Sequence, residues 1–329
     1  MMHSSAKPHQ WVSYLAGCWL LCTMVAVNCS AADGLASVTC LAVSPDGRQL
    51  VAGDQGRLHV YRWDDLGFVK QTIVPLLKIH HAVFSSDGKR LLLAGGVPGE
   101  SGSVVLLSWP ELETIRIRQI SDDVLYSAAF LQNSAAGEDS ATVVVAGHDH
   151  SAYIVQLTSS TPPSPLISHT RPVTDVTTIV ESDLILTCSM DETIRVWNAT
   201  SGVLVRTLSN HLKSVRMISV RPASGAGLSM LASVSDDRTV RLFQPTIGRM
   251  VRFKRFTSPS TAVTWTTDGR QVIAGCRDGS IYSIAPETLT VKALAEPTDA
   301  WVSELANHPT DQALIAGYSD GRLLRLTVP

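Results

Sequence analysis

Two places along the chain carry residue types that could ligate a metal. His148-Asp149-His150 offers two imidazoles flanking a carboxylate, a donor set that suits zinc and other transition ions. Consecutive residues of a tight turn point in different directions, and a closed site would need ligands from elsewhere. His80-His81 meets a simpler obstacle, because neighbours along an extended strand face opposite sides. No metal site is expected. Nucleophilic chemistry has no better footing, since the chain lacks a Gly-x-Ser-x-Gly elbow and a Cys-His signature. With no Gly-x-Gly-x-x-Gly and no phosphate loop, nothing points to a nucleotide or another cofactor. Ser, Thr and Asp are plentiful, but turn chemistry accounts for them, so no catalytic residue is expected. Asn28-Cys29-Ser30 and Asn198-Ala199-Thr200 match the glycosylation acceptor pattern and are read as chance matches.

The composition bounds what can hold these residues in place. The 329 residues are 45% hydrophobic and 17% charged with a formal net charge of -2, which supplies a core and excludes a disordered chain. That balance also argues against a nucleic-acid binder held by a basic field. Six cysteines without a C-x-x-C pair exclude zinc ribbons and a disulfide scaffold. Cys40, Cys188 and Cys276 fall too far apart to bridge and read as buried thiols.

Residues 11–27 carry no charge, follow a polar start with Lys7, and precede Ser30 and Ala32, the small residues a secretory cleavage after Ala32 would need. The chain is therefore expected to be exported to a periplasm, cell surface or medium. The alternatives are an uncleaved membrane anchor, including a lipobox at Leu15-Ala16-Gly17-Cys18, and a chain retained inside the cell.

Everything after that segment repeats. Seven copies of a polar turn followed by an alternating apolar segment place equivalent positions at Gln55, Ser101, Asp149, Asp191, Asp237, Asp278 and Asp320. The spacing is 41 to 48 residues. Within a copy the periodicity is two, as in Val38 to Ser44, Gln49 to Gly53 and Leu58 to Arg62. Pro45-Asp46-Gly47, Ser86-Asp87-Gly88 and Thr267-Asp268-Gly269 supply the turns. Four short strands repeated seven times predict an all-β fold, a seven-bladed β-propeller of four-stranded antiparallel blades over residues 33–329. Residues 134–140 and 159–165 are expected to be irregular loops.

The fourth copy, CSMDETIRVWNATSG with His169 before it, resembles a WD-repeat. The resemblance implies a hydrogen-bonded tetrad of His169, Ser189, Asp191 and Trp197. The fifth copy has His211, Ser235 and Asp237 but Phe243 in place of the Trp, so its tetrad is incomplete. The family also implies a non-catalytic protein–protein interaction scaffold. The alternative is a propeller enzyme, a metal-dependent lactonase-like hydrolase working at the central channel.

In WD-repeat proteins partners often sit on the face formed by the loops entering the first strand and the turn between the second and third. Counting three and five residues past the His-equivalent position gives Lys78, His80, Tyr126, Ser214, Arg216 and Trp301. The residue before the turn Asp gives Asp54, Glu100, His148, Asp236, Arg277 and Ser319. Tyr126, Arg216, Arg277 and Trp301 are the expected anchors, with His80, His148 and Asp236 beside them. The other reading is that the aromatics plug the channel. Mixed charge favours a protein or peptide over nucleic acid. A closing strand for the last blade is expected near residues 27–34, across the proposed cleavage site.

Overall fold

The computed structural model describes residues 28–29, 35–131, 141–222 and 228–328. Among these, the regular elements are strands apart from one short 3-10 turn, Val180–Ser182. The strands form seven four-stranded antiparallel sheets over residues 40–73, 79–121, 125–167, 173–208, 215–255, 260–295 and 302–327. These are the seven blades that the repeat predicts, numbered 1 to 7 in that order. Consecutive strands of a blade are neighbours, and the first strands of adjacent blades pack together around the axis. Blade 7 contributes three strands of its own. Asn28–Cys29 supplies the fourth by pairing with Leu324 and Leu323, so a segment ahead of blade 1 closes the ring.

The burial pattern explains why the chain adopts this arrangement. Second strands such as Arg90–Val97 and Ala313–Tyr318 are sandwiched between neighbouring blades and are buried on both faces. They therefore read as unbroken apolar runs rather than alternating ones. Fourth strands such as Thr114–Ser121 lie at the rim and are exposed over most of their length. Each core cluster among the described residues lies at one interface between blades. Leu92, Val104, Leu125 and Val143 join blades 2 and 3, and Leu41, Leu50, Trp63 and Ile315 join blades 7 and 1. Cys40, Cys188 and Cys276 are free and buried in these layers, and burial pushes all three thiols up.

The predicted turns form as their residues dictate. Ser44 Oγ donates to Asp46 Oδ1 at 2.6 Å and Thr266 Oγ1 to Asp268 Oδ1 at 2.6 Å, while Gly47 and Gly269 take φ of 72° and 66°. Gly47 has a second task at the 7–1 junction, where its carbonyl accepts from His308 Nε2 at 3.0 Å. The irregular stretch expected at 159–165 is shorter than that, because Ser164–Ile167 forms the outer strand of blade 3. Pro165 is tolerated there on a free edge. The loop expected at 134–140 lies outside the described residues.

Candidate functional site

Six of the seven first strands carry a bulge near their start, and each bulge leaves one residue out of register. These residues are His80, Tyr126, Thr174, Arg216, Thr261 and Ser303. Thr39 stands at the corresponding place in blade 1, where its hydroxyl donates to Gly53 O at 3.0 Å. Thr174, Thr261 and Ser303 bond the matching carbonyls of Cys188, Gly275 and Gly317. Two of them also reach the next blade, Thr174 to Val215 O at 2.7 Å and Thr261 to Val302 O at 2.6 Å. The repeat thus has a structural solution for this position: a small hydroxyl that satisfies backbone acceptors. Blades 2, 3 and 5 depart from it with His80, Tyr126 and Arg216. The side chains five residues past the His-equivalent position are these out-of-register residues.

Blades 2 and 3 bring their departures together. His80 and Tyr126 meet edge to face with ring centroids 5.4 Å apart, and Tyr126 meets His148 at 5.8 Å. His148 Nδ1 is 2.8 Å from Asp123 Oδ2, which orients the imidazole. Burial, reinforced by Lys78, lowers His80 to about 4, so its ring is neutral at physiological pH. Burial and the Asp123 charge push the Tyr126 phenol up, while Arg216 pulls the other way, so Tyr126 lies within the field of both. Arg216 is held to Asp236 through Nε at 3.0 Å and Nη2 at 2.5 Å, with both side chains part-exposed. Trp301 is 48% exposed at the rim of blade 7, and its backbone exchanges hydrogen bonds with Ser319. Arg277 stands exposed at the matching rim of blade 6, its N–H on Pro259 O.

The two counting rules select partners across one hairpin. The carbonyls of Ser214 and Trp301 accept the N–H groups of Asp236 and Ser319, while Val124, which the counting did not select, accepts that of His148. Two residues fall elsewhere. Glu100 sits at the tip of a hairpin lengthened by the pairs Gly96–Gly102 and Val97–Ser101, and Gly96 takes the equivalent place on Lys78 O. Asp54 is 3% exposed and lies 3.2 Å from buried His59 Nε2, so it is internal. Asp123 escaped the sequence reading, because its role depends on a contact 25 residues away.

His148, Asp149 and His150 have diverging roles. Asp149 caps its own turn through Ser151 N and Tyr153 Oη, and His150 is exposed with a φ of 71°. His81 turns away from His80 and accepts from Ala128 N at 3.4 Å. Among the described residues, no group of three or more His, Cys, Asp or Glu side chains could hold a metal ion. The hydrolase alternative therefore gains no support from the channel.

The blade 4 tetrad forms with one change of member. His169 Nδ1 meets Asp191 Oδ2 at 2.8 Å, and its Nε2 meets Thr187 Oγ1 at 2.8 Å. The Trp197 indole donates to the same hydroxyl at 2.9 Å. The hub is Thr187, not Ser189, whose Oγ donates to Arg171 O and accepts from Asp191 N. In blade 5, Ser233 plays the hub at 2.7 Å from His211, and Ser235 repeats the Ser189 role. Strand alternation explains the shift, since a residue two positions along the strand shares the face but lies nearer the indole.

Two acids follow out-of-register residues into the channel. Burial raises Asp175 to about 6, although its carboxylate accepts from Ser127 Oγ, Ile218 N and Val176 N. Glu304 is raised to about 8 by burial and by the charge of Asp175. The equivalent residues are Cys40, His81, Ser127, Met217 and Ala262, none of them an acid, so aligning the copies at this position would have exposed both carboxyl groups.

Comparison with known proteins adds family resemblance to this geometry. Residues 29–62, 160–198, 202–244 and 251–283 match the family described as WD domain, G-beta repeat. The COMPASS component SWD3 of Saccharomyces cerevisiae is 28% identical over 152 residues, covering 44% of this chain and 47% of that protein. The SIR4-interacting protein SIF2 of the same yeast is 24% identical over 275 residues, 79% of this chain and 47% of that protein. Eukaryotic translation initiation factor 3 subunit I of Neurospora crassa is 28% identical over 156 residues, 47% and 44% of the two chains. The matched stretches span about half the length of these relatives.

Proposed function

We propose that this chain, which belongs to the WD-repeat family, is a non-catalytic scaffold that binds a protein or peptide partner at the mouth of its channel. One observation carries the reading. At a position where the fold is satisfied by a small hydroxyl, blades 2, 3 and 5 place His80, Tyr126 and Arg216 instead. Among the described residues these side chains make no hydrogen bond to the matching carbonyl, and they present aromatic and guanidinium groups, the usual anchors of interfaces. Arg277 and Trp301 extend the same rim. Paired and unpaired charges of both signs around it suit a protein surface better than a phosphate backbone. The names of the relatives, a complex component, an interacting protein and an initiation-factor subunit, agree with a role in assemblies.

The test is co-purification with tagged wild type and with a variant carrying Arg216→Glu, Arg277→Glu and Trp301→Ala, each captured protein then being remeasured as a purified pair. The variant is expected to fold and to lose the partner. If it folds and retains every partner, this face is not the site.

Export belongs to the same proposal. The uncharged run at 11–27 supports it, and the pairing of Asn28–Cys29 in blade 7 favours a mature chain that keeps residue 28. Such a chain is either anchored through 11–27 or cleaved ahead of Asn28. The native N-terminal mass tests this, and a chain beginning at Asp33 would contradict it.

A further inference from the structure

We propose that the outer strand of blade 5, Arg249–Arg255, docks an extended acidic segment of a partner protein by accepting it as an added strand. Charge is distributed unevenly over the chain. Residues 211–255 hold nine of its 27 Lys and Arg and two of its 29 Asp and Glu, leaving 18 against 27 elsewhere. Both acids are engaged, Asp236 by Arg216 and Asp237 by His211 and Thr239. The strand itself reads RMVRFKR, four cations in seven residues and no acid. Arg249, Arg252 and Arg255 are exposed, and among the described residues no ion pair neutralises any cation of the strand.

Protection of a sheet edge does not explain this density, because other rims do without it. Phe68–Ile73 has one cation, Lys70, already placed on Pro110 O, and Ser164–Ile167 has none. The backbone of the strand is also available. Phe256 N–H donates inward to Arg238 O at 2.8 Å, and alternation along the antiparallel pair turns the N–H groups of Arg255 and Phe253 outward. Phe253 is 46% exposed, its ring lying 5.2 Å from the Arg241 guanidinium, and offers an apolar anchor between the cations. A row of outward backbone donors, with Arg252 and Lys254 on one face and Phe253 on the other, matches a strand in which carboxylates alternate with apolar residues. A nucleic acid would use only the charges.

The test uses the full chain and a ten-residue peptide of alternating Glu and Val. Binding is expected to weaken about tenfold or more in the variant Arg249→Glu, Arg252→Glu, Lys254→Glu. A control with Arg48→Glu, Lys89→Glu and Arg116→Glu, exposed cations of blades 1 and 2, is expected to keep it. Bound peptide is also expected to slow amide exchange at Phe253 and Arg255, which electrostatic attraction alone would not do. Unchanged exchange at these two amides overturns the proposal. So does tighter binding of a thymidine oligonucleotide or of phosphatidylserine vesicles through the same cations, or self-association that the strand variant abolishes. The channel-mouth variant leaves this strand intact, so failure here and failure of the scaffold reading are separable.

Discussion

Tyr126 and Arg216 occupy the same position in two blades, the residue that a bulge leaves out of register, and Thr174 of the intervening blade fills that position with a hydroxyl. A repeated fold thus carries its own control. Where four copies agree on Thr or Ser, the backbone explains the choice, and where three depart, it does not. The departures lie at the starts of the first strands of their blades, which is why the binding face is proposed there.

The Thr187 hub of blade 4 makes a quantitative prediction. Thr187→Val leaves the Trp197 indole N–H and His169 Nε2 without their buried partner and is expected to cost ~2 to 3 kcal/mol. Ser189→Ala removes two peripheral bonds and is expected to cost about 1 kcal/mol. Phe243→Trp, supplying blade 5 with the missing donor toward Ser233, is expected to leave stability unchanged or raise it. Urea unfolding of the three variants checks the order. A Ser189 effect larger than that of Thr187 would reverse the assignment.

The pH dependence has two limbs with opposite causes. Glu304, raised to about 8, and Asp175, raised to about 6, contribute stability that is fully present below their ordinary values and is lost progressively as pH rises to the raised ones. His169 and His211 are lowered by burial, although their Asp partners oppose it. The unfolded chain takes up protons that these folded imidazoles refuse, so stability falls as pH drops below about 6.5. At Asp191, hydrogen bonds from His169 and Thr193 outweigh burial and hold the carboxyl below its usual range, which steepens the fall further into acid. Glu304→Gln is expected to remove the part of the fall in melting temperature that accrues between pH 4.5 and about 8, and to leave the profile above about 8 unchanged. Profiles that run parallel from pH 4.5 to about 8 in the two proteins would clear Glu304 of the effect.

Ring closure rests on a pairing of two residues with Leu323 and Leu324. Deleting residues 1–32 removes it and opens the edge of Leu323–Thr327, and the interface clusters that depend on closure lose their restraint. The shortened chain is expected to melt several degrees lower and to self-associate more than a chain that begins just before Asn28. Equal melting temperatures and equal sedimentation would show that Asn28–Cys29 contributes nothing to the closed ring.

The architecture was legible because spacing, turns and strand period all recur, and seven agreeing copies average out local ambiguity. The blade count, the turns at Asp46 and Asp268, and a closing strand ahead of blade 1 follow from that recurrence. Individual partners were less legible. Ser189 and Thr187 both lie on one face of one strand, and only the reach of the Trp197 indole decides between them. Glu100 went astray because blade 2 lengthens its hairpin, which a count from the turn cannot register. Asp123 with His148, and Asp175 with Ser127, depend on contacts between distant segments that no local pattern announces.

The central claim, that the three departures serve a partner and not the fold, is tested most directly by restoring the repeat. A variant with His80→Thr, Tyr126→Thr and Arg216→Thr gives blades 2, 3 and 5 the hydroxyl that the other blades already use. Its affinity for the purified partner and its unfolding free energy are measured side by side by calorimetry and urea titration. The account predicts stability equal to or above wild type, within about 1 kcal/mol, together with a loss of affinity of about a hundredfold or more. A variant that binds as tightly as wild type, or that fails to fold, would contradict it.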